Sequence, residues 1–205
     1  MMARLVFATN NAHKIEELEA ILAPAWEGFE PGVVARMAEY NLPDPVEDGV
    51  SFAENSLLKA RAVCAATGLP AIADDSGLSV DVLGGAPGIF SARWCGRHGD
   101  DAANLDLLLA QLADVPEAHR GAAFVSAAAL VLPDGREFVE YGTVEGTLLR
   151  ERRGENGFGY DPIFVPAGCE VTTAEMSPEQ KNAISHRGIA FRALTPRIIE
   201  ALSTY

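Results

Sequence analysis

The chain has 205 residues, which is enough for one domain with a substantial buried core. Its net charge of −13 argues against a nucleic-acid backbone or an anionic membrane surface as its partner. An anionic small molecule is still compatible with this charge if its site supplies local positive charge or a metal ion.

The three cysteines, Cys64, Cys95 and Cys169, form no C-x-x-C pair. The C-x-x-H spacing of Cys95 and His98 has no second pair to complete a zinc site. No segment resembles a signal peptide, and no apolar stretch is long enough to cross a bilayer. We therefore expect a reduced protein in the cytoplasm.

The chain opens with a predicted strand, a polar turn and a helix. Residues 4–9 are apolar and favour a strand, which stops at Asn10. Ile15, Leu18 and Leu22 then recur at helical spacing until Pro24 ends the pattern. A cation near the start of this helix would be unfavourable without an anion, because helix N-termini carry partial positive charge.

A second helix has clear end signals. Ser51 and Glu54 form a capping box at its start, and Gly68 followed by Pro70 stops it. The next apolar run, residues 71–73, predicts a buried strand that ends abruptly at an acidic segment, Asp-Asp-Ser-Gly.

The rest of the chain alternates between further helices and strands. We predict a helix over 101–113, antiparallel strands over 122–132 and 137–149, a strand over 163–165, a short helix from 177 and a final helix over 189–202. Units of the strand–helix–strand type combined with a β-meander predict an α/β protein with a mixed sheet, in one domain over 1–205.

Lysine is rare in this chain, with only Lys14, Lys59 and Lys181 against 13 arginines. A lysine ammonium is a compact point charge, which suits a single phosphate oxygen in a tight site. All three lysines fall in polar segments, so together they suggest a phosphate site. Codon bias is the alternative explanation.

Two carboxylates end the predicted strand over 71–73. The carboxyl ends of strands are where open α/β sheets bind ligands, and neighbouring strand residues point to opposite faces. Asp75 or Asp74 can thus face a ligand while the other supports it, and Mg²⁺ or a proton would relieve their repulsion. Upstream, Glu47 can supply an oxygen to a hard metal ion. A plain Asp-Ser-Gly turn is the alternative.

We predict that a glycine-rich loop over 154–162 exposes aromatic residues at the surface. Phe158 offers a stacking face for a base, and the glycines allow close approach of the backbone. Further on, Lys181, His186 and Arg187 place cations or donors beside a helix break. The alternatives are a loop that folds into the core and an ordinary polar junction between helices.

These segments, in this order, resemble the inosine triphosphate pyrophosphatase family, also known as dITP/XTP pyrophosphatases. The motifs that carry the resemblance are T-N-N-A-H-K at 9–14, E-D-G at 47–49, F-A-E-N-S-L-L-K-A at 52–60, A-D-D-S-G-L at 73–78, V-L-G-G-A-P-G at 82–88, G-F-G-Y-D-P-I-F at 157–164 and K-N-A-I-S-H-R-G at 181–188. Departures are small: Ser56 replaces the usual alanine, and Asn156 precedes a motif that often has two glycines.

The resemblance implies a mixed twisted sheet with flanking helices and two lobes around a central nucleotide-binding cleft. It implies hydrolysis of dITP, ITP or XTP to the monophosphate and pyrophosphate, with Mg²⁺, by a homodimer. Asp75 would be the proton acceptor and, with Glu47, a metal ligand. The phosphates would be held by Thr9, Asn10, Asn11, Ala12, His13, Lys14, Lys59 and Ser76. The base and nearby groups would be held by Phe158, Gly159, Tyr160, Asp161, Lys181, His186 and Arg187.

Hypoxanthine and xanthine present a keto oxygen, which accepts hydrogen bonds, and a ring N–H, which donates. At the same two positions adenine presents a donor and an acceptor, respectively. His186, Arg187 and backbone N–H groups can donate to the oxygen, and Asp161 can accept from the ring N–H. Adenine would leave buried donors unpaired, which is a large rejection term. Two alternatives stay open: a related pyrophosphatase for another base, and a nucleotide-binding regulator without turnover.

Overall fold

The computed structural model describes residues 4–204, without the side chains of Ala12 and His13. Its strands and longer helices are, in chain order, β1 (Leu5–Phe7), α1 (Ala12–Ala25), β2 (Val34–Arg36), α2 (Phe52–Thr67), β3 (Ala71–Val80), α3 (Asp101–Gln111), β4 (Gly121–Val131), β5 (Glu137–Leu148), β6 (Phe164–Pro166), α4 (Pro178–Ala183) and α5 (His186–Thr204). Short 3₁₀ turns lie between several of them.

The strands form one mixed sheet in the order β2-β1-β3-β4-β5-β6. β1 pairs in parallel with β2 and with β3, and β5 pairs antiparallel with β6. The α/β class with a mixed sheet is therefore confirmed. Between residues 4 and 204, no helix is long and apolar enough to cross a membrane.

The chain divides into two compact units. The first comprises Met1–Asp75, Ser126–Gly142 and Arg187–Tyr205, and the second comprises Ser76–Val125 and Thr143–His186. A boundary between the units thus falls directly after Asp75, within the range of β3.

In the first unit, helices pack on both faces of the strands. Successive side chains of β1 point to opposite faces and therefore contact different helices. Leu5 and Phe7 are fully buried with Leu18 of α1 and Phe191 of α5. The rings of Phe7 and Phe191 meet edge to face with their centroids 5.3 Å apart. Val6, between them in sequence, instead packs in a cluster with residues of α2.

The second unit has its own apolar core, in which Leu78 and Val80 of β3 pack with residues of α3 and β6. One buried cation stabilises the edge of this core. The guanidinium of Arg120, 1% exposed, donates to the backbone carbonyls of Leu112, Leu148 and Leu149. Donors of a buried charge need such acceptors, because an unpaired buried polar group is costly.

The predicted ends of α2 are confirmed, but its capping box is only half formed, because the Glu54 carboxylate accepts from the Val50 N–H and not from the N-cap N–H. Ser51 is the N-cap of α2 and its hydroxyl accepts from the Glu54 N–H. Gly68 ends the same helix at φ 69°, in the left-handed region that glycine adopts without steric cost. Ser177 and Gln180 form the reciprocal capping box of α4.

The end of one strand was predicted wrongly, and one strand was missed. β3 does not end at residue 73 but continues through the acidic segment to Val80, with Leu78 and Val80 again buried. The carboxylate of Asp74 is tolerated inside a strand because cations from α1 and α5 pair with it. The three-residue strand β2 was missed, since so short a run carries no periodic signal.

Candidate active site

The first unit contains a buried carboxylate surrounded by cations. Asp74 is 3% exposed. The Lys14 ammonium lies 2.8 Å from its Oδ1, and Nε of Arg187 donates to its Oδ2 at 2.9 Å. Glu17 of α1 is 3.4 Å from the same guanidinium. Strand β3 therefore holds Asp74 where the first helix and the last helix can both supply charge to it.

Asp74 is ionised in this setting. Burial alone would raise the pKa of its carboxyl, but the charges of Lys14, Arg187 and Lys59 outweigh burial and hold the pKa well below its ordinary value. Asp74 thus serves as an anchor for cations, which fits the expectation that one aspartate of the pair supports the other.

Asp75, the next residue, is in a different environment. Its Oδ2 accepts from Nδ2 of Asn55 at 3.1 Å, and its Oδ1 lies 3.8 Å from the ammonium of Lys59. Burial raises the pKa of Asp75, against the opposing charge of Lys59 and the hydrogen bond from Asn55. A carboxylate with a raised pKa is a better proton acceptor than an ordinary one.

Lys59 lies between two carboxylates. Its ammonium is 2.8 Å from Oε1 of Glu47 and 3.8 Å from Oδ1 of Asp75, and its side chain is 12% exposed. Asn55 and Lys59 are one helical turn apart on α2, so one face of this helix carries both. This face of α2 therefore lies against the carboxylates of Glu47 and Asp75 and not against solvent.

The turn before α1 is held by its own side chains. Thr9 is 9% exposed, and its hydroxyl accepts from the Asn11 N–H at 3.1 Å. Asn10 is exposed and donates to Asp44 at 2.9 Å. The side chains of Ala12 and His13, also predicted to bind phosphate, lie outside the described part of the chain. Ser76 belongs to the second unit.

A second cluster, centred on Asp161, lies in the second unit. Asp161 is 2% exposed, and its Oδ2 forms an ion pair with the ammonium of Lys181 and accepts from the Phe158 N–H at 2.8 Å. Its Oδ1 accepts from the Thr173 hydroxyl at 2.8 Å. The carboxylate is thus engaged by three donors. This disfavours the direct bond from Asp161 to a base N–H.

The loop before Asp161 exposes one aromatic ring, not two. Phe158 is 66% exposed, and the Lys181 ammonium lies 4.7 Å from its ring centroid. Tyr160 was predicted at the surface as well, but it is 4% exposed and its hydroxyl donates to the Ser91 carbonyl. Its place in the apolar core explains the difference. The Gly159 N–H is bonded to Asp101 of α3.

The side chains around Asp161 line a small pocket of this unit. Its lining residues are Phe124, Val144, Asp161, Phe164, Thr173, Lys181, Ile184, Ser185 and His186. The imidazole of His186 stacks on the Phe124 ring with centroids 5.1 Å apart and an interplanar angle of 13°.

Sequence reasoning missed Phe124 and Thr173. It grouped Arg187 with His186 on the base side, which stays a prediction. In the first unit the Arg187 guanidinium contacts Asp74 and Glu17. Phe124 lies within an alanine-rich strand, where nothing in the local pattern marks it as a pocket residue.

Each of the three lysines forms an ion pair with a carboxylate that the sequence also indicated. Lys14 pairs with Asp74, Lys59 with Glu47, and Lys181 with Asp161. None of the three carboxylates was predicted to have a lysine partner.

A model of the Ham1 family matches residues 5–197. The chain belongs to the Ham1 family. A relative from Streptomyces avermitilis named dITP/XTP pyrophosphatase is 64% identical over 201 residues, covering 98% of this chain and 100% of the relative. A relative of the same name from Streptomyces coelicolor is 62% identical over 201 residues, with the same coverage of both chains.

Solved structures of the Ham1 type share the fold. A nucleoside-triphosphatase described as a dITP/XTP pyrophosphatase from Mycobacterium abscessus superposes with a TM-score of 0.80 at 50% identity, over 95% of this chain and 98% of that one. A HAM1 protein from Coxiella burnetii gives a TM-score of 0.87 at 39% identity, over 98% and 100%. The inosine triphosphate pyrophosphatase resemblance inferred from the motifs is confirmed.

Proposed function

We propose that this chain hydrolyses dITP, ITP and XTP to the nucleoside monophosphate and pyrophosphate and so removes non-standard purine nucleotides from the pool. One observation of the structure supports this most: Lys14, Lys59 and Arg187 converge on the adjacent carboxylates Asp74 and Asp75 within one unit. A cluster of this kind supplies both phosphate-binding charge and a base. The names of the relatives agree with that chemistry.

Asp75 is the proposed proton acceptor. It takes a proton from a water molecule whose oxygen forms a bond to the α-phosphorus. The bond from that phosphorus to the bridging oxygen then breaks, and pyrophosphate leaves with the bonding electron pair. A mere binding protein would need no such base, which argues against the regulator alternative.

Lys14, Lys59 and Arg187 neutralise the charge that develops on the departing pyrophosphate. Their carboxylate partners hold them in place before substrate binds, so little reorganisation is needed in the transition state. Arginine and lysine differ here because Arg187 presents a fork that reaches Asp74 and Glu17 at once.

Glu47 and Asp75 are the residues that would hold Mg²⁺. No group of three or more His, Cys, Asp or Glu residues fit to bind a metal occurs among the described side chains. Two carboxylates nonetheless fit Mg²⁺, which commonly binds one or two protein carboxylates together with substrate phosphates. When bound, the ion would act as a Lewis acid on the phosphate oxygens.

For the base, we propose the residues of the Asp161 cluster. Phe158 offers an exposed stacking face, and Lys181 and His186 offer donors for a keto oxygen. Asp161 fixes the ammonium of Lys181 and the Phe158 backbone and so acts on the base through them. As the family resemblance implies, we also propose that the chain acts as a single catalytic domain, as a homodimer and in the cytoplasm.

The proposed reaction predicts a defined product from a defined set of substrates. With Mg²⁺, dITP, ITP and XTP should give monophosphate and pyrophosphate much faster than ATP or GTP does. The measurement is pyrophosphate release over a panel of nucleoside triphosphates, with product identity checked by chromatography. Release of orthophosphate would place the cleavage at another phosphorus and contradict the proposal.

The scarcity of lysine predicts that positive charge alone is not sufficient for catalysis at positions 14 and 59, so that arginine cannot replace lysine there. Lys14→Arg or Lys59→Arg should lower kcat/KM for ITP roughly 10-fold or more, because the broad guanidinium displaces a phosphate oxygen from its position. The matched controls are Arg36→Lys and Arg136→Lys on the surface, whose stability should change by about 0.5 kcal/mol or less. Wild-type kinetics for both lysine variants would leave codon bias as the explanation.

A further inference from the structure

One amide connects the loop that carries Glu47 to the proposed catalytic base. Asn55, in the first turn of α2, is fully buried. Its Oδ1 accepts from the Gly49 N–H at 2.9 Å, and its Nδ2 donates to Oδ2 of Asp75 at 3.1 Å. The amide orientation is fixed by chemistry, because a backbone N–H can only donate and therefore must face the amide oxygen.

Gly49 provides a second, independent sign that this junction is tight. A Cβ at position 49 would lie 2.7 Å from Oδ1 of Asn55 and 2.8 Å from Cβ of Glu54. The demand for glycine comes from space and not from a left-handed backbone conformation, since no positive φ occurs at this position. The loop thus packs directly on the start of α2 at the point where Asn55 accepts its hydrogen bond.

The consequence is geometric. The Asn55 donor occupies Oδ2 of Asp75 and leaves Oδ1 as the oxygen nearer to Lys59. The same amide fixes the loop two residues after Glu47, whose carboxylate accepts from the Lys59 ammonium at 2.8 Å. Asn55 was not among the sequence-predicted site residues.

We propose that Asn55 is a positioning residue that sets the orientation of Asp75 and its distance from the Glu47 loop through one bridging amide. The role rests on the proposed function only in so far as Asp75 is the base. The bridge itself is a property of the first unit and can be measured without substrate.

Two substitutions separate positioning from simple support of the helix start. Asn55→Ala removes both hydrogen bonds. Asn55→Asp keeps the acceptor for the Gly49 N–H and places an acid in the first turn of α2, which favours the helix. It loses the donor to Asp75 and puts a like charge beside it. Because this acid would be fully buried beside a like charge, Asn55→Asp should lower the melting temperature under either role. A purely structural role predicts that kcat of the folded protein stays near the wild-type value in both variants, whereas a positioning role predicts that it falls.

We expect kcat for ITP to fall about 10- to 100-fold in both variants, the usual effect of removing a partner that orients a ligating or catalytic side chain. KM should change less than kcat. The matched control is Asn104→Ala in α3, another buried amide in a first helical turn, which accepts from the Cys95 N–H and donates to the Ala92 carbonyl. It should lower the melting temperature while kcat stays within about threefold of the wild type.

Hydrogen exchange of the Gly49 amide, followed by ¹⁵N NMR without nucleotide, gives the readout that does not depend on turnover. Protection should be lost in Asn55→Ala and kept in Asn55→Asp. Wild-type kcat in Asn55→Asp, or unchanged Gly49 exchange in Asn55→Ala, would overturn the positioning role. If the wild-type protein releases no pyrophosphate while the two variants still show this exchange pattern, the proposed function is overturned and the bridge is established.

Discussion

Replacing Asp75 by asparagine should lower kcat/KM for ITP by about 10²- to 10⁴-fold, the range expected when a general base is lost. Asparagine keeps the size of the side chain but cannot accept the proton of the attacking water. The fold should survive the change. Burial disfavours the charge of Asp75, and Lys59 retains its contact with Glu47 at 2.8 Å.

The measurement is steady-state pyrophosphate release, with a thermal melt to show that the variant is folded. Asp106→Asn serves as control, because Asp106 pairs with Arg152 at the surface of the second unit and its loss should leave kinetics unchanged. An Asp75→Asn enzyme that retains most of its activity would show that another group accepts the proton.

The sequence predicted the elements best where local signals were strong. Ser51 and Gly68 mark the ends of α2 by capping chemistry, which acts over a few residues and can be read locally. The end of β3 was predicted wrongly because the rule applied there, that charge stops a buried strand, is also local. The partners that stabilise Asp74 come from 60 and 113 residues away, Lys14 and Arg187.

The candidate site, like the fold, could be predicted from sequence only in part. Composition and motif order were enough to select Asp75, Lys59 and Glu47, which the structure brings together. Which unit a side chain joins depends on where the backbone leads at a single residue. His186 and Arg187 are neighbours in the chain, yet they belong to different clusters, and no spacing argument could separate them.

Replacing Asp74 by asparagine should mainly lower the stability of the fold, whereas the same change at position 75 should mainly lower activity. The substitution leaves the ammonium of Lys14 and the guanidinium of Arg187 facing each other without the buried charge that holds both. Removing one partner of a buried pair is costly because the remaining charge stays desolvated, and we expect a loss of about 3 kcal/mol. For a chain of this size that corresponds to a fall in Tm of roughly 6–12 °C.

Thermal melts of Asp74→Asn, Asp75→Asn and Asp134→Asn in parallel test this contrast. Asp134 forms an exposed ion pair with Arg136, so its loss should cost about 1 kcal/mol or less.

The pairing of Asp74 with Lys14 and Arg187 also predicts how stability changes with pH. Because the folded-state pKa of Asp74 is lowered, its contribution is complete above the ordinary carboxyl range and is lost as pH falls through the lowered value. The Tm difference between wild type and Asp74→Asn should therefore narrow on acidification. Equal melting temperatures for the two proteins at neutral pH would mean that Lys14 and Arg187 need no anchor, and Asp74 would then have to be reconsidered as a second substrate or metal contact beside Asp75.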